Sequence, residues 1–121
     1  MQDRFKFRVW QIVRTKGKDI LVFMEFLECS AINLNNYIHR SDCIIEQCTG
    51  LKDKNGKLIY EGDIVETHDY TTEHSQIVFD KGCYVLKSKD AAMYEHLSNY
   101  EKECEVIGNI HENPELLEED K

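Results

Sequence analysis

Tight-turn signals recur at short intervals along the second half of this 121-residue chain. Residues 53–56 (Asp-Lys-Asn-Gly), 61–63 (Glu-Gly-Asp) and 80–82 (Asp-Lys-Gly) each separate two short apolar segments. Asn-Gly is the favoured central pair of a type I′ hairpin turn, in which both residues take positive φ. Short strands joined by such turns are typical of a small antiparallel barrel, which we expect over residues 44–111.

The segments between these turns define the expected strands of the barrel. Residues 68–74 are polar throughout, and we expect a loop there. Residues 89–97 carry apolar side chains at helical spacing with Asp90 as a possible cap, and they predict a helix. The predicted strands cover residues 44–45 with 47–51, 57–60, 64–67, 76–79, 83–87 and 104–110.

The N-terminal segment predicts a separate hairpin. Apolar and basic residues alternate from Phe5 to Val9, the pattern of a half-buried strand. The alternation slips at Trp10, which indicates a bulge or a strand that is buried on both faces. We expect a turn at residues 15–18 and the returning strand of the hairpin at residues 19–27.

Two further segments have helical features. Residues 28–38 fit either a short helix or a long loop, because three asparagines oppose the apolar helical spacing. At the C-terminus, Asn113 as N-cap, Pro114 at the first helical position and Glu115 in the first turn predict a short helix. The expected fold is therefore mainly β (α+β): an N-terminal hairpin-based α/β lobe over 1–43, then a small SH3-like antiparallel barrel with a C-terminal helix over 44–121.

Size and hydropathy exclude several classes of protein. A chain of 14.3 kDa accommodates one domain or two small lobes that share a core. Its longest apolar stretch, residues 20–24, is far shorter than the ~20 residues of a membrane helix. The N-terminus lacks the apolar segment of a secretory signal. We expect a cytoplasmic protein without a membrane partner.

The net charge of −8 is unevenly distributed. Residues 1–20 carry six basic and two acidic side chains, whereas residues 101–121 carry eight acidic and two basic ones. An acidic chain repels phosphate backbones, so nucleic-acid binding is disfavoured unless the N-terminal basic residues form a local patch.

The cysteines are expected to be reduced thiols. Their number is odd, and no Cys-x-x-Cys pair occurs among them. His39, Cys43 and Cys48 form the nearest approach to a metal-ligand cluster, but they lack a fourth ligand and the usual zinc-knuckle spacing. We therefore expect neither a metal nor a cofactor. The five cysteines are Cys29, Cys43, Cys48, Cys83 and Cys104.

Three blocks of the sequence resemble the YopX family of phage and prophage proteins. They are residues 5–10 (Phe-Lys-Phe-Arg-Val-Trp), residues 49–65 (Thr-Gly-Leu-Lys-Asp-Lys-Asn-Gly-Lys-Leu-Ile-Tyr-Glu-Gly-Asp-Ile-Val) and residues 104–117. The resemblance implies an N-terminal α/β lobe followed by an SH3-like barrel, in a phage or bacterial setting. It implies no activity, cofactor or catalytic residue. Two departures are Gln11, where the family usually has aspartate, and residues 28–45, which match no family segment.

The sequence predicts that the protein is not an enzyme. It contains no nucleophile elbow, Walker loop or H-E-x-x-H motif. Asp63 is expected to order its turn through backbone amides rather than act as a general base. The nearest enzymes are MazF/PemK-type ribonuclease toxins, which share a Gly-Asp-Ile-Val strand start. Those toxins supply a catalytic arginine later in the chain, and here no arginine follows Arg40.

Two binding hypotheses from different classes remain. In the first, a non-catalytic accessory protein of a phage binds a host or phage macromolecule, with a role in host takeover or anti-defence. Its acidic surface would be Glu112, Glu115, Glu118, Glu119 and Asp120.

In the second hypothesis, the basic N-terminal strand binds nucleic acid, and Phe5, Phe7 and Trp10 stack on the bases. The simpler alternative places the two phenylalanines in the core and directs the basic side chains to water. The basic residues of this hypothesis are Arg4, Lys6, Arg8, Arg14, Lys16 and Lys18. Structural roles in turns and caps are expected for Asn55, Gly56, Gly62, Asp63, Gly108, Asn113 and Pro114.

Overall fold

The chain folds into two antiparallel sheets and a short C-terminal helix. The computed structural model describes residues 6–28, 40–68, 72–88 and 94–118. The first sheet has the order β2-β1-β3-β4, and the second has the order β8-β7-β6-β5-β9. The strands are β1 (Lys6–Thr15), β2 (Lys18–Glu28), β3 (Cys43–Lys52), β4 (Leu58–Tyr60), β5 (Asp63–His68), β6 (Thr72–Asp80), β7 (Cys83–Lys87), β8 (Tyr94–His96) and β9 (Glu105–Asn109).

The two sheets are joined at the hairpin between β3 and β4. The Lys54 amide donates to the Cys104 carbonyl over 2.8 Å, and the Lys102 amide donates to the Lys52 carbonyl over 2.9 Å. These bonds tie the end of β3 to the segment before β9, which gives the sheets a barrel-like curl. A 3-10 helix, Leu97–Tyr100, precedes that segment, and the helix α1, Glu115–Glu118, ends the described chain.

The apolar core lies inside this curl. Strands β4, β5 and β7 each contribute consecutive buried residues to the interior. The core cluster contains Ile59, Val65, Ile77, Leu86, Leu97 and Cys104, all of them fully buried.

The mainly β fold with a short C-terminal helix is confirmed. The strands predicted from the turn signals are present, and the first sheet includes strands from both sides of residue 43. The division into lobes over 1–43 and 44–121 stays a prediction. The alternatives for residues 28–38 lie almost wholly outside the described residues. Among the described residues, no helix has the length and hydrophobicity that crossing a membrane requires.

The predicted bulge near Trp10 is present and determines which side chains share a face. Trp10 pairs with Phe23, whereas Val9 pairs with Glu25, so β2 contains one extra residue at this point. Residues that pair directly across an antiparallel ladder lie on the same face. Because Arg8 pairs with Phe26, the bulge places two phenylalanines three positions apart on the face that carries Arg8 and Trp10.

The turn type predicted for the 53–56 hairpin is wrong. Only Gly56 has positive φ, at 82°, while Asn55 does not. The Gly56 amide donates to the Asp53 carbonyl over 3.0 Å, and the Asp53 amide donates to the Lys57 carbonyl over 2.8 Å. This pattern is a type I turn followed by a glycine bulge, the usual three-residue hairpin loop.

Two other local predictions are also wrong. Residues 68–74 were expected to form a loop, but β5 continues to His68 and β6 begins at Thr72, and these two residues pair. The polar side chains at the paired ends of β5 and β6 lie on strands with an exposed surface, so a run of polar residues does not by itself indicate a loop. Within the predicted helix 89–97, Tyr94–His96 is a strand that pairs with β7, and residues 89–93 lie outside the described residues.

Candidate functional site

A groove lies between the first sheet and the start of the second. It encloses about 680 Å³ and is lined by residues of β1, β2, β4 and β5 and by two residues at the end of β9 and just after it. One wall is the face of β1 and β2 on which the bulge collects Arg8, Trp10, Phe23 and Phe26. The site is built around Arg8.

Arg8 forms the buried floor of the groove. Its Nε donates to Glu46 Oε1 over 2.7 Å, and its Nη1 donates to Asp63 Oδ1 over 2.7 Å. Its Nη2 donates to the Glu61 carbonyl over 3.0 Å. Only 6% of Arg8 is exposed, and a buried guanidinium is stable only when paired in this way. Strands β1, β3 and β5 thus meet at one cation.

Glu46 gathers three donors, two from β1 and one from the segment after β9. Besides Arg8 Nε, its Oε1 accepts a hydrogen bond from Trp10 Nε1 over 2.9 Å. Its Oε2 lies 2.7 Å from His111 Nε2, in the segment after β9. Gly62 leaves the room for this carboxylate, because a Cβ on Gly62 would lie 2.4 Å from Glu46 Oε2. Gly62 also has a φ of 90°, so the predicted structural role of this glycine has two causes.

The second carboxylate of the floor, Asp63, also orders its turn. Its Oδ2 accepts a hydrogen bond from the Tyr60 amide over 2.8 Å, as the sequence predicts. Burial raises the pKa of Asp63, and the charge of Arg8 opposes that rise. The pKa of Glu61 is also raised, first by burial and then by the negative charge of Glu46.

A continuous arc of aromatic rings covers this polar floor. The ring centroids of Trp10 and Phe23 are 5.5 Å apart, those of Phe23 and Phe26 are 4.8 Å apart, and those of Phe26 and Tyr60 are 5.6 Å apart. The Arg8 guanidinium lies 5.5 Å from the Trp10 ring and 5.1 Å from the Tyr60 ring, within the range of cation–π attraction. We call these four rings the aromatic arc. Phe26 leaves 61% of its surface exposed at the edge of the groove.

The geometry of the floor favours structural pairing over chemistry. Throughout the described ranges, no buried side-chain nitrogen or oxygen lacks a hydrogen-bond partner. In those same ranges, no three His, Cys, Asp or Glu side chains are placed to hold a metal ion. The two carboxylates that could act as bases, Glu46 and Asp63, are both paired with Arg8. The groove above the floor is the part of the site that is open to a ligand.

The structure separates the predicted basic residues into two groups. Lys6 is half-buried and lines the groove, whereas Arg8 is buried in the floor. The expectation that these basic side chains point to water is therefore wrong for Arg8, and Trp10 is buried as well. Arg4 and Phe5 lie outside the described residues, and Phe7 is half-buried. The remaining basic residues, Arg14, Lys16 and Lys18, are exposed at the β1–β2 turn.

The predicted acidic residues lie partly at the groove. Glu112 is exposed, lines the groove, and accepts a hydrogen bond from Asn109 Nδ2 over 3.0 Å. Glu115 is exposed on α1, and Glu118 is the last residue of that helix. Glu119 and Asp120 lie outside the described residues.

The remaining structural predictions concern Gly108 and the start of α1. A Cβ on Gly108 would lie 2.6 Å from Asn113 Oδ1, so the glycine provides space for that side chain. Asn113 Oδ1 accepts a hydrogen bond from the Asn109 amide over 3.2 Å, which anchors it to the end of β9. The helix begins at Glu115, one residue after the predicted first position, Pro114.

Within the described residues, the cysteines form no disulfide bond. Cys43 and Cys48 are five positions apart on β3, so their side chains leave opposite faces of the strand, and His39 lies outside the described residues. Burial raises the pKa of the Cys104 thiol to about 11, with a further contribution from the charge of Asp53. That thiol is therefore unreactive at neutral pH.

Sequence reasoning missed the paired floor of the site. Glu46 and His111 were not singled out, and Arg8 was assigned to a surface. One signal was present for Glu46, which interrupts the predicted strand between Ile45 and Gln47. A charge in such a position needs a partner. Its partners are 36, 38 and 65 residues away in the chain, so no local pattern identifies them.

Comparisons with known proteins agree with the fold. A family model described as YopX protein matches residues 6–118. The crystal structure of protein EF1440 from Enterococcus faecalis superposes with a TM-score of 0.51 at 27% sequence identity, covering 93% of this chain and 96% of that chain. The crystal structure of protein yopX from Bacillus subtilis superposes with a TM-score of 0.55 at 17% identity, covering 93% and 98%. The comparison with curated proteins gave no match.

Proposed function

Because the chain belongs to the YopX protein family, we propose that it is a non-catalytic accessory protein of a phage or prophage that binds a macromolecular partner through the groove. Its place of action would be the cytoplasm of the bacterial host, with a role in host takeover or anti-defence. The partner is a protein in this proposal, and no cofactor takes part.

One observation supports this proposal above the others: the aromatic arc ends in a largely exposed phenylalanine at an open groove. Phe26 is 61% exposed although its ring contacts both Phe23 and Tyr60. A contiguous apolar patch that is rimmed by polar residues is typical of an interaction site. The groove volume of about 680 Å³ lies within the usual range of binding pockets.

The paired floor supports a binding role rather than a catalytic one. Arg8 is the buried cation of the groove lining, and it already donates to two carboxylates and a carbonyl. A catalytic arginine must instead reach the charge that develops on a substrate. In this proposal, the ion pairs of Arg8 with Glu46 and Asp63 hold the groove walls in place.

The acidic surface becomes the rim of the groove in this proposal. Glu112 lines the groove itself, and Glu115 is exposed nearby in sequence on α1. The nucleic-acid alternative would use Arg14, Lys16 and Lys18 at the β1–β2 turn. A binding assay must therefore distinguish binding at the groove from binding at the β1–β2 turn.

The test is partner capture from a bacterial host lysate treated with nuclease, with two matched variants. Phe26→Ala removes the exposed ring of the groove, and Phe79→Ala removes an exposed ring of β6 that contacts Tyr84. We expect Phe26→Ala to lower capture roughly tenfold or more, since a buried aromatic anchor contributes about 1.5–3 kcal/mol. Phe79→Ala should capture the partner as the unmodified protein does. Equal capture by both variants, or capture that disappears with nuclease treatment, would contradict the proposal.

A further inference from the structure

We infer that the groove recognises an extended protein segment in which an acidic side chain stands two positions from a large apolar side chain. This inference rests on the proposed function and names the chemistry of the partner. It follows from the order in which apolar, basic and acidic groups lie along the groove.

The apolar side chain of the segment is recognised by the exposed edge of the aromatic arc. Phe23 contacts Phe26 and Phe26 contacts Tyr60, and Leu58 continues this wall of rings on β4. Only large apolar or aromatic side chains cover a wall of this size. The rings are held by neighbours on both sides, so little side-chain freedom is lost when a ligand packs against them.

The basic groups lie at one end of the groove. Lys6 precedes Arg8 by two residues on the same face of β1, and Lys57 precedes Leu58 in the sequence on the facing wall. Two residues of a strand span about 7 Å. Since Arg8 pairs with Phe26 across the ladder, Lys6 is offset from the rings by this span. Lys57 adjoins Leu58 of the groove lining, so its flexible side chain can reach an acidic residue two positions from the apolar one.

The acidic group lies at the other end. His111 packs on Trp10 with ring centroids 4.7 Å apart, and Glu112 follows it directly in the chain. Trp10 is two residues beyond Arg8 on the face of β1, in the direction away from Lys6. The charge along the groove therefore changes in the direction of β1, from lysines at one end to the Glu112 carboxylate at the other.

Arg8 does not provide the recognition of the acidic side chain. Its three donor groups already face Glu46, Asp63 and the Glu61 carbonyl. A carboxylate from a partner would have to replace one of these buried bonds at a large cost. The exposed ammonium of Lys57 has no such cost, so it carries the preference for an acidic residue.

A protein segment fits this charge pattern better than a nucleic acid. A nucleic acid presents a negative charge at every step of its backbone, and the groove has acidic groups at Glu112 and in its floor. The net charge of −8 adds to that repulsion. A peptide carries its charges on selected side chains and can place one carboxylate at the lysine end.

The experiment titrates the protein with eight-residue peptides that differ only at two positions. Trp10 is the only tryptophan of the chain and lines the groove, so its fluorescence reports binding there. The peptides contain Glu-Thr-Phe, Gln-Thr-Phe, Lys-Thr-Phe or Glu-Thr-Ala at their centre, and a second set has the reverse order. We expect the Glu peptide with Phe to bind roughly two- to fivefold more tightly than the Gln peptide, the range of one exposed ion pair. The Lys peptide should bind more weakly, and the Ala peptide should not bind.

Two charge variants complete the test. Lys57→Glu should reverse the order, so that the Lys peptide binds more tightly than the Glu peptide. Lys87→Glu, at an exposed lysine of β7 outside the groove, should leave the original order unchanged. Equal binding of the Glu and Lys peptides, or an order that Lys57→Glu does not change, would overturn the inference. Partner capture that still depends on Phe26 would show in that case that the proposed function stands without it.

Discussion

Glu46 links β1 to the segment after β9. Its carboxylate accepts hydrogen bonds from Arg8 and Trp10 on β1 and lies against His111 after β9. A buried carboxylate is tolerated only with such partners. Gly62 completes the arrangement, because it leaves space for Glu46 Oε2.

This crowding gives the first prediction. Gly62→Ala should lower the free energy of unfolding by about 3–5 kcal/mol, because a positive φ costs about 1–3 kcal/mol and the Cβ displaces the Glu46 carboxylate from its partners. Gly82→Ala is the control, since its φ is 85° and no heavy atom lies within 4 Å of the added Cβ. Chemical denaturation measures both variants. Equal losses of stability would mean that Glu46 does not require the space.

At the scale of residues, the sequence predicted the alternation of β1 but not its consequence. Lys6 and Arg8 do lie on one face, and Phe7 and Val9 lie on the other. The face that carries Lys6 and Arg8 was predicted to be exposed to solvent, because basic side chains are usually exposed. Arg8 is instead paired with carboxylates of β3 and β5, which lie 38 and 55 residues away in the chain. Burial that depends on such distant pairing leaves no local sequence signal.

At the scale of elements, turn positions were predictable and turn geometry was not. Asp53 explains the difference: its carboxylate accepts hydrogen bonds from the amides of Asn55, Lys57 and Val106, each over 2.9 Å. Those bonds hold the loop in a type I turn with a glycine bulge, although Asn-Gly alone favours type I′. The bond to Val106 comes from β9, so tertiary structure decides the turn type.

The second prediction tests that turn. Gly56→Val should destabilise the protein by about 1–3 kcal/mol, because valine is strained at a φ of 82°. Asn55→Ala should change stability by less than about 0.5 kcal/mol, since the φ of Asn55 is ordinary in this loop. Thermal melts of both variants provide the measurement. A type I′ turn would instead require positive φ at both residues and make Asn55→Ala costly as well.

At the scale of the whole molecule, the carboxyl groups of Glu66 and Glu61 make the free energy of unfolding depend on pH in opposite directions. A hydrogen bond from His74 lowers the pKa of Glu66, with a further lowering by His68. The contribution of Glu66 is therefore fully present above its ordinary pKa of 4.5 and is lost as the pH falls through the folded-state value. Burial and Glu46 raise the pKa of Glu61, so its contribution decreases as the pH rises through that raised value.

The third prediction follows from these signs. Glu66→Gln should be less stable than the unmodified protein at pH 7, and the difference should narrow as the pH falls toward 4 and below. Glu61→Gln should show the opposite trend and gain relative stability between pH 4 and pH 7. Melting temperatures across this pH range measure both variants. Parallel curves for either variant would mean that its carboxyl does not titrate differently in the folded and unfolded chains.

The central claim is that a macromolecular partner binds in the groove between the sheets, and hydrogen exchange with the captured partner tests it most directly. We expect slowed exchange in β2 (Lys18–Glu28), whose phenylalanines form the exposed edge of the aromatic arc, and in β4 (Leu58–Tyr60), which lines the groove beside them. Exchange in β7 (Cys83–Lys87), which contributes no residue to the groove, should stay unchanged. Protection confined to the β1–β2 turn or to α1, with β4 unaffected, would contradict the account.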